Sequence, residues 1–198
     1  MTPDEPDRPL RLCVYCASSV GDDPAFARAA QDLGAELGRR GVDLVYGGGH
    51  VGLMGLVADG ALAAGRSVTG VITEQLVDRE VAHHGVTDLI VVPDMPARKQ
   101  AMYRAADAFM TLPGGVGTME EFFEVLCWGY LGLHPKPMGL LNVAGYYDHL
   151  VAFIDGAVGH DLCKPRVREL LRIGDDPIAL LDDLLVELRR SPHDHTPR

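Results

Sequence analysis

The sequence predicts an α/β fold, a parallel sheet flanked by helices in a single domain, on three observations. Short apolar runs of strand length recur along the chain, helical patterns lie between them, and no linker or internal repeat divides the 198 residues. Strands of a parallel sheet are covered on both faces, so they read as continuous apolar runs. Alternating strand and helix then implies right-handed crossovers onto one sheet.

The strand candidates are Leu12–Tyr15, Asp43–Tyr46, Ser67–Ile72, Asp88–Val92, Ala108–Leu112 and Met138–Asn142. Asp22–Asp23–Pro24 offers a cap and a first-turn proline to a helix that runs from Pro24 to Arg40 and stops at Gly41. A second helix runs from about Val51 to Ala64, and a third opens at Asp94–Met95–Pro96. In a fourth, Met119, Phe122, Phe123, Leu126, Cys127 and Tyr130 fall at helical spacing on one apolar stripe. Tyr146–Gly156, Pro165–Leu171 and Pro177–Arg190 read as helices with no strong strand between them, suited to covering the sheet edge or meeting a partner subunit. The domain is expected to span residues 10–190, between a disordered arm at 1–9 and a frayed tail at 191–198. His193 and His195 read as part of that solvated tail rather than as metal ligands.

Composition narrows the function. A hydrophobic content of 47% supports a real core. No apolar run reaches the ~20 residues of a membrane span, and the acidic, proline-rich start lacks the features of a signal peptide, so a cytoplasmic protein without a membrane partner is expected. A net charge of −10 argues against sequence-independent binding of nucleic acid. It leaves room for a small anionic ligand in a local cationic pocket. Cys13 and Cys16 form a C-x-x-C, but residues three apart on a strand point to opposite faces. Core packing is the better reading.

Three segments carry chemistry. The first is Leu112–Pro113–Gly114–Gly115–Val116–Gly117–Thr118–Met119–Glu120–Glu121. Glycines between a strand and a helix let backbone N–H groups converge on an anion at the positive end of the helix dipole. A tight turn needing glycine would look the same. Glu120, Glu121 and Glu124 lie off the apolar stripe; acids favour a first turn for dipole reasons, yet a water-activating base belongs beside such a loop. In the second segment Arg98 interrupts the face made by Met95, Met102 and Ala105, with Lys99 next to it. Cations in a first turn oppose the dipole, so Arg98 wants a carboxylate or phosphate partner, or a structural salt bridge. The third, Gly47–Gly48–Gly49–His50–Val51–Gly52, satisfies G-x-G-x-x-G, but on the second strand and without the acid a dinucleotide fold needs. A nucleotide-facing loop fits better than NAD binding.

Together, Val45–Tyr46–Gly47–Gly48–Gly49 with Gly52–Leu53–Met54–Gly55, then Arg98–Lys99, then Pro113 to Glu121, resemble the Lonely Guy (LOG) family of cytokinin riboside 5′-monophosphate phosphoribohydrolases, long labelled "lysine decarboxylases". The likeness runs from about Leu12 to Tyr147. It implies a Rossmann-like, doubly wound sheet and a homo-oligomer, most simply a homodimer, with active sites near the interface. It implies that Arg98 and Glu121 are catalytic, that Glu80 helps bind ribose, and that Gly114, Gly115, Gly117 and Thr118 hold the phosphate, with Gly48 and Lys99 also contacting substrate. Two positions depart from the family's pattern: Pro96 stands where a histidine is usual and Thr73 where a proline is usual. Both bear on which base is preferred.

The expected reaction is hydrolysis of the N-glycosidic bond of a cytokinin riboside 5′-monophosphate, or AMP, to free base and ribose 5-phosphate. No metal, flavin or nicotinamide is required. Glu121 would stabilise oxocarbenium character and orient or deprotonate water, while Arg98 positions phosphate or ribose, keeps Glu121 ionised or assists the leaving base. Pyridoxal-dependent decarboxylation needs a Schiff-base lysine, and the chain offers only Lys99, Lys136 and Lys164. A nucleotide carrier without turnover would keep the glycine loop and have no use for a paired Arg98 and Glu121.

Overall fold

The computed structural model describes residues 8–77 and 81–190. Seven strands form one fully parallel sheet. In chain order they are β1 (Arg11–Tyr15), β2 (Asp43–Tyr46), β3 (Val68–Thr73), β4 (Asp88–Val92), β5 (Ala108–Thr111), β6 (Met138–Leu141) and β7 (Leu171–Gly174). The helices are α1 (Pro24–Arg40), α2 (Gly52–Ala63), α3 (Met95–Ala105), α4 (Val116–Tyr130), α5 (Asp148–Gly159), α6 (Arg166–Glu169) and α7 (Pro177–Arg190). Across the sheet the order is β4-β3-β2-β1-β5-β6-β7. The chain winds outward from β1 to β4, returns to β5 on the other side of β1, and winds outward again. This is the doubly wound, Rossmann-like arrangement.

The side-chain alternation of β1 divides the core in two. Leu12, Val14 and Cys16 face the layer of α1, α2 and α7, where they meet Phe26, Leu33, Leu53 and Leu181. Cys13 and Tyr15 face the opposite layer, with Met102 of α3, Phe122 of α4 and Ile154 of α5. The C-x-x-C therefore straddles the sheet, and both cysteines are buried and outside any disulfide. Helix α1 starts as its sequence dictates: Asp23 accepts from Ala25 N at 2.8 Å, Pro24 follows, and Gly41 ends it with φ 67°.

Three expectations need correction. Residues 165–171 are not one helix: α6 ends at Glu169 and Leu171–Gly174 forms β7, which pairs with β6 from Met138↔Leu171 to Leu141↔Gly174. Arg172 and Gly174 break the apolar run, so only the open edge of β6 makes this segment a strand. Strand β4 is an edge rather than a buried strand, with Ile90 and Val91 exposed. Finally, the apolar stripe of α4 is split. Phe122 and Leu126 enter the core, whereas Phe123, Cys127 and Tyr130 face outward. The arm at residues 1–7 and the tail at 191–198, with His193 and His195, lie outside the described residues.

Candidate active site

Open α/β sheets bind ligands beyond the carboxyl ends of their strands, where the winding direction reverses. Here that switch lies between β1 and β5. A cavity of about 300 Å³ occupies it, lined on one side by Cys16 to Ser19 after β1 and on the other by Gly115 to Thr118 after β5. Gly47, Met54, Met95, Arg98 and Glu121 complete the walls that matter for chemistry.

Helices α1 to α4 all start at this edge of the sheet, and their first turns differ. In α1 and α3 the side chains of Asp23 and Asp94 accept from Ala25 N and Ala97 N, both at 2.8 Å. In α2, Leu53 N and Met54 N donate to the carbonyls of Ser19 and Ala17, each at 3.3 Å. The first turn of α2 is thus bonded back to the protein, and His50 N in the loop before it donates to Val81 O at 2.8 Å. Helix α4 has no side-chain cap; Met119 N is the first amide to bond back, to Gly115 O at 3.0 Å. Among the described residues, the amides of Val116, Gly117 and Thr118 make no bond to the protein, and all three residues line the cavity. Orphan amides at a helix N-terminus are an anion seat. The backbone approaches closely there: a Cβ on Gly114 would collide with the Thr118 hydroxyl.

Arg98 is 5% exposed. Its Nε donates to Val71 O at 2.9 Å and its Nη2 to Gly47 O at 2.8 Å, so carbonyls at the ends of β2 and β3 fix the guanidinium against the cavity. A Cβ at position 47 would collide with Nη2 of Arg98, so glycine there leaves the guanidinium its place. Glu121 reaches the same cavity from α4, just beyond the unbonded amides. Its charge is felt below the floor: burial drives the Cys13 thiol far above its ordinary range, and the Glu121 carboxylate pushes it further. An inert, neutral thiol results.

Arg98, Glu121, Gly115, Gly117 and Thr118 therefore come together. Gly114 packs behind the loop against Thr118, and Gly48 sits behind Gly47 against Val71 and Ile72. Lys99 points away from the cavity lining into an ion pair with Glu124 at 2.9 Å and another with Glu120. Glu80 lies outside the described residues. Pro96 occupies the first turn of α3, and Thr73 is buried at the end of β3. Sequence reasoning gave no role to Tyr146 and Tyr147. Tyr146 donates to Gly114 O at 2.8 Å and Tyr147 to Leu112 O at 2.7 Å, tethering the anion loop from the start of α5. The Gly-Tyr-Tyr after the sixth strand was the available signal.

One cluster could be taken for a metal centre, His50, Asp59 and His83, whose ligand atoms lie within 4.8 Å of one another. Gly85 N donates to His83 Nδ1 at 3.1 Å, so the ring proton sits on Nε2 and goes to Asp59 Oδ1 at 2.9 Å. That leaves His83 no lone pair for an ion. The cluster ties α2 to the segment after β3.

A family profile described as "Possible lysine decarboxylase" matches residues 54–184. The "Probable cytokinin riboside 5′-monophosphate phosphoribohydrolase LOGL6" of Oryza sativa subsp. japonica is 48% identical over 174 residues, covering 88% of this chain and 70% of that protein. The "Cytokinin riboside 5′-monophosphate phosphoribohydrolase LOG7" of Arabidopsis thaliana is 50% identical over 161 residues, covering 81% and 74%. The chain belongs to the LOG family.

Among solved structures, the molybdenum cofactor carrier protein of Chlamydomonas reinhardtii superposes with a TM-score of 0.68 at 21% identity, covering 90% of this chain and 99% of that one. The likeness is one of fold. The decarboxylase wording of the LOG-family profile finds no lysine to serve it. Lys99 is held by two glutamates, Lys136 donates to Tyr103 O at 2.5 Å, and neither these nor Lys164 lines the cavity. No described helix of this LOG-family chain is long and apolar enough to cross a membrane.

Proposed function

We propose that this chain hydrolyses the N-glycosidic bond of a nucleoside 5′-monophosphate, a cytokinin riboside 5′-monophosphate or AMP, releasing the base and ribose 5-phosphate. One observation carries the reading: a single helix, α4, presents both an open N-terminus and the Glu121 carboxylate to the cavity that Arg98 also lines. A phosphate on the amides of Val116 to Thr118 brings the ribose alongside Glu121. As the base departs, positive character grows at the anomeric carbon. A carboxylate there stabilises it and takes a proton from the attacking water. Arg98, locked to two carbonyls, has little freedom to reorganise and meets phosphate or ribose in a fixed geometry.

The working unit is a homodimer. Val116, Phe123, Cys127 and Tyr130 form an outward stripe on α4, continued by Leu131 and Leu133, and Val116 also borders the cavity. The compartment is the cytoplasm, where thiols such as the four cysteines, none of them in a disulfide, stay reduced.

The test is product analysis by chromatography with AMP and isopentenyladenosine monophosphate. Wild type should release free base, and Glu121→Gln should lose roughly 10²- to 10⁴-fold in kcat with its fold intact. Full turnover in Glu121→Gln would sink the assignment. Binding of the monophosphate without base release by wild type would favour a carrier.

A further inference from the structure

Lys99 adjoins Arg98 on α3, and its two partners bracket Glu121 on α4. Its ammonium pairs with Glu120, one residue before Glu121, and with Glu124 at 2.9 Å, three residues after. The Lys99 side chain is 17% exposed and that of Glu124 is 22%. Burial lowers the Lys99 pKa, but the two carboxylates outweigh it and the net shift is upward, so the ammonium stays charged. One cation thus bridges the first turn of α3 to the opening turns of α4, the two elements that supply Arg98 and Glu121.

We infer that Lys99 is a positioning residue, clamping α3 to α4 so that Arg98 and Glu121 keep their places in the cavity lining, and that it does not bind the substrate phosphate. The inference rests on the hydrolase reading above. Three features favour a clamp over a phosphate ligand. The ammonium has two carboxylate partners, it is absent from the cavity lining, and the anion seat at Val116–Thr118 is built from backbone amides without it. Glu120 and Glu124 then have a purpose beyond the helix dipole: they receive the clamp, and Glu121 lies between them in the chain and lines the cavity.

The two roles differ in kinetics. A displacement of about 1 Å at a reacting pair can reduce rate 10²-fold, so removing the clamp should act on kcat. Lys99→Gln and the double variant Glu120→Gln, Glu124→Gln are assayed for base release from AMP and isopentenyladenosine monophosphate, alongside the triple variant. Each of the first two is expected to lower kcat by roughly 10- to 100-fold with KM within about threefold of wild type. The triple variant should be no worse than either, because all break one interaction. Lys99→Arg, which keeps a cation in reach of both acids, should recover most of the rate. Thermal melts exclude gross unfolding as the cause.

Lys99→Gln with KM raised tenfold or more at unchanged kcat would overturn the inference in favour of a phosphate contact. Normal turnover in the Glu120, Glu124 double variant would overturn it as well. Absence of base release by wild type would instead strike the hydrolase reading, leaving the two failures distinguishable.

Discussion

The hydroxyl of Tyr147 donates to the carbonyl of Leu112 at 2.7 Å, joining the last residue before the anion loop to the residue that opens α5. Tyr147 is 3% exposed, and burial raises its pKa far above the ordinary phenol range, so the hydroxyl keeps its proton and remains a donor. Tyr147→Phe would leave a buried carbonyl without this partner, at a loss of about 1–3 kcal/mol in stability. At 198 residues that is a fall of several degrees in Tm by calorimetry. Tyr146→Phe provides the contrast. Its hydroxyl holds Gly114 O from a half-exposed ring, so stability should change little while KM for AMP rises several-fold. A Tyr147→Phe protein with unchanged Tm would refute the tether.

Gly47 and Arg98 make a second coupled pair. The carbonyl of Gly47 accepts from Nη2 at 2.8 Å, and the same residue leaves room for that guanidinium by having no side chain. Gly47→Ala should push Arg98 out of register and lower kcat/KM on the order of 10²-fold, with an unaltered far-UV spectrum. Arg98→Lys should fail comparably, since a lone ammonium cannot bridge Val71 O and Gly47 O in the same plane. Wild-type kinetics in Gly47→Ala would show that the placement of Arg98 does not matter.

Much of this was legible in the residues. Continuous apolar runs gave six of the strands, and glycines between Leu112 and Met119 marked the strand-to-helix turn that lines the cavity, where Gly114 packs closely against Thr118. What escaped has a common cause, dependence on distant partners. β7 is a strand only because β6 offers an edge. The loop at Gly47–Gly52 looks like that at Gly114–Thr118 in sequence, and only distant partners distinguish it: Leu53 N and Met54 N, at the start of its helix, donate to the carbonyls of Ser19 and Ala17, and His50 N donates to that of Val81. The split of the α4 stripe reflects which side of the helix meets the sheet, which periodicity alone does not separate over so wide an arc. The ion pairs of Lys99 were hidden in the same way, because its two glutamate partners lie on the next helix.

Acid sensitivity should include His134. Burial lowers its pKa below 6.5, and its ring is bonded as a neutral species: Nε2 donates to Val125 O at 2.9 Å and Nδ1 accepts from Lys136 N at 3.1 Å. Below pH 6.5 the unfolded chain takes up a proton that the folded ring resists. The contribution of His134 is therefore full above pH 6.5 and declines as pH falls through the lowered folded-state value. In urea titrations at pH 7.5 and 5.5, wild type should lose more stability than His134→Gln over that interval. Equal losses would show that the ring titrates the same in both states.

The outward stripe of α4 leads to the last expectation. Phe123 and Tyr130 are 40% and 37% exposed, and Leu131 and Leu133 exceed 60%. Contiguous apolar surface of this kind marks an interface, and a helix stripe meeting its own copy about a two-fold axis satisfies closure with a single patch. Phe123→Asp with Tyr130→Asp would set like charges against each other across such a contact. Sedimentation equilibrium should then give about half the wild-type mass. Because Val116 is 88% exposed and belongs to both stripe and cavity, the monomer should also bind AMP more weakly, while Phe153→Asp, exposed on α5 and outside the stripe, should change neither mass nor binding. A double variant with wild-type mass would place the interface elsewhere.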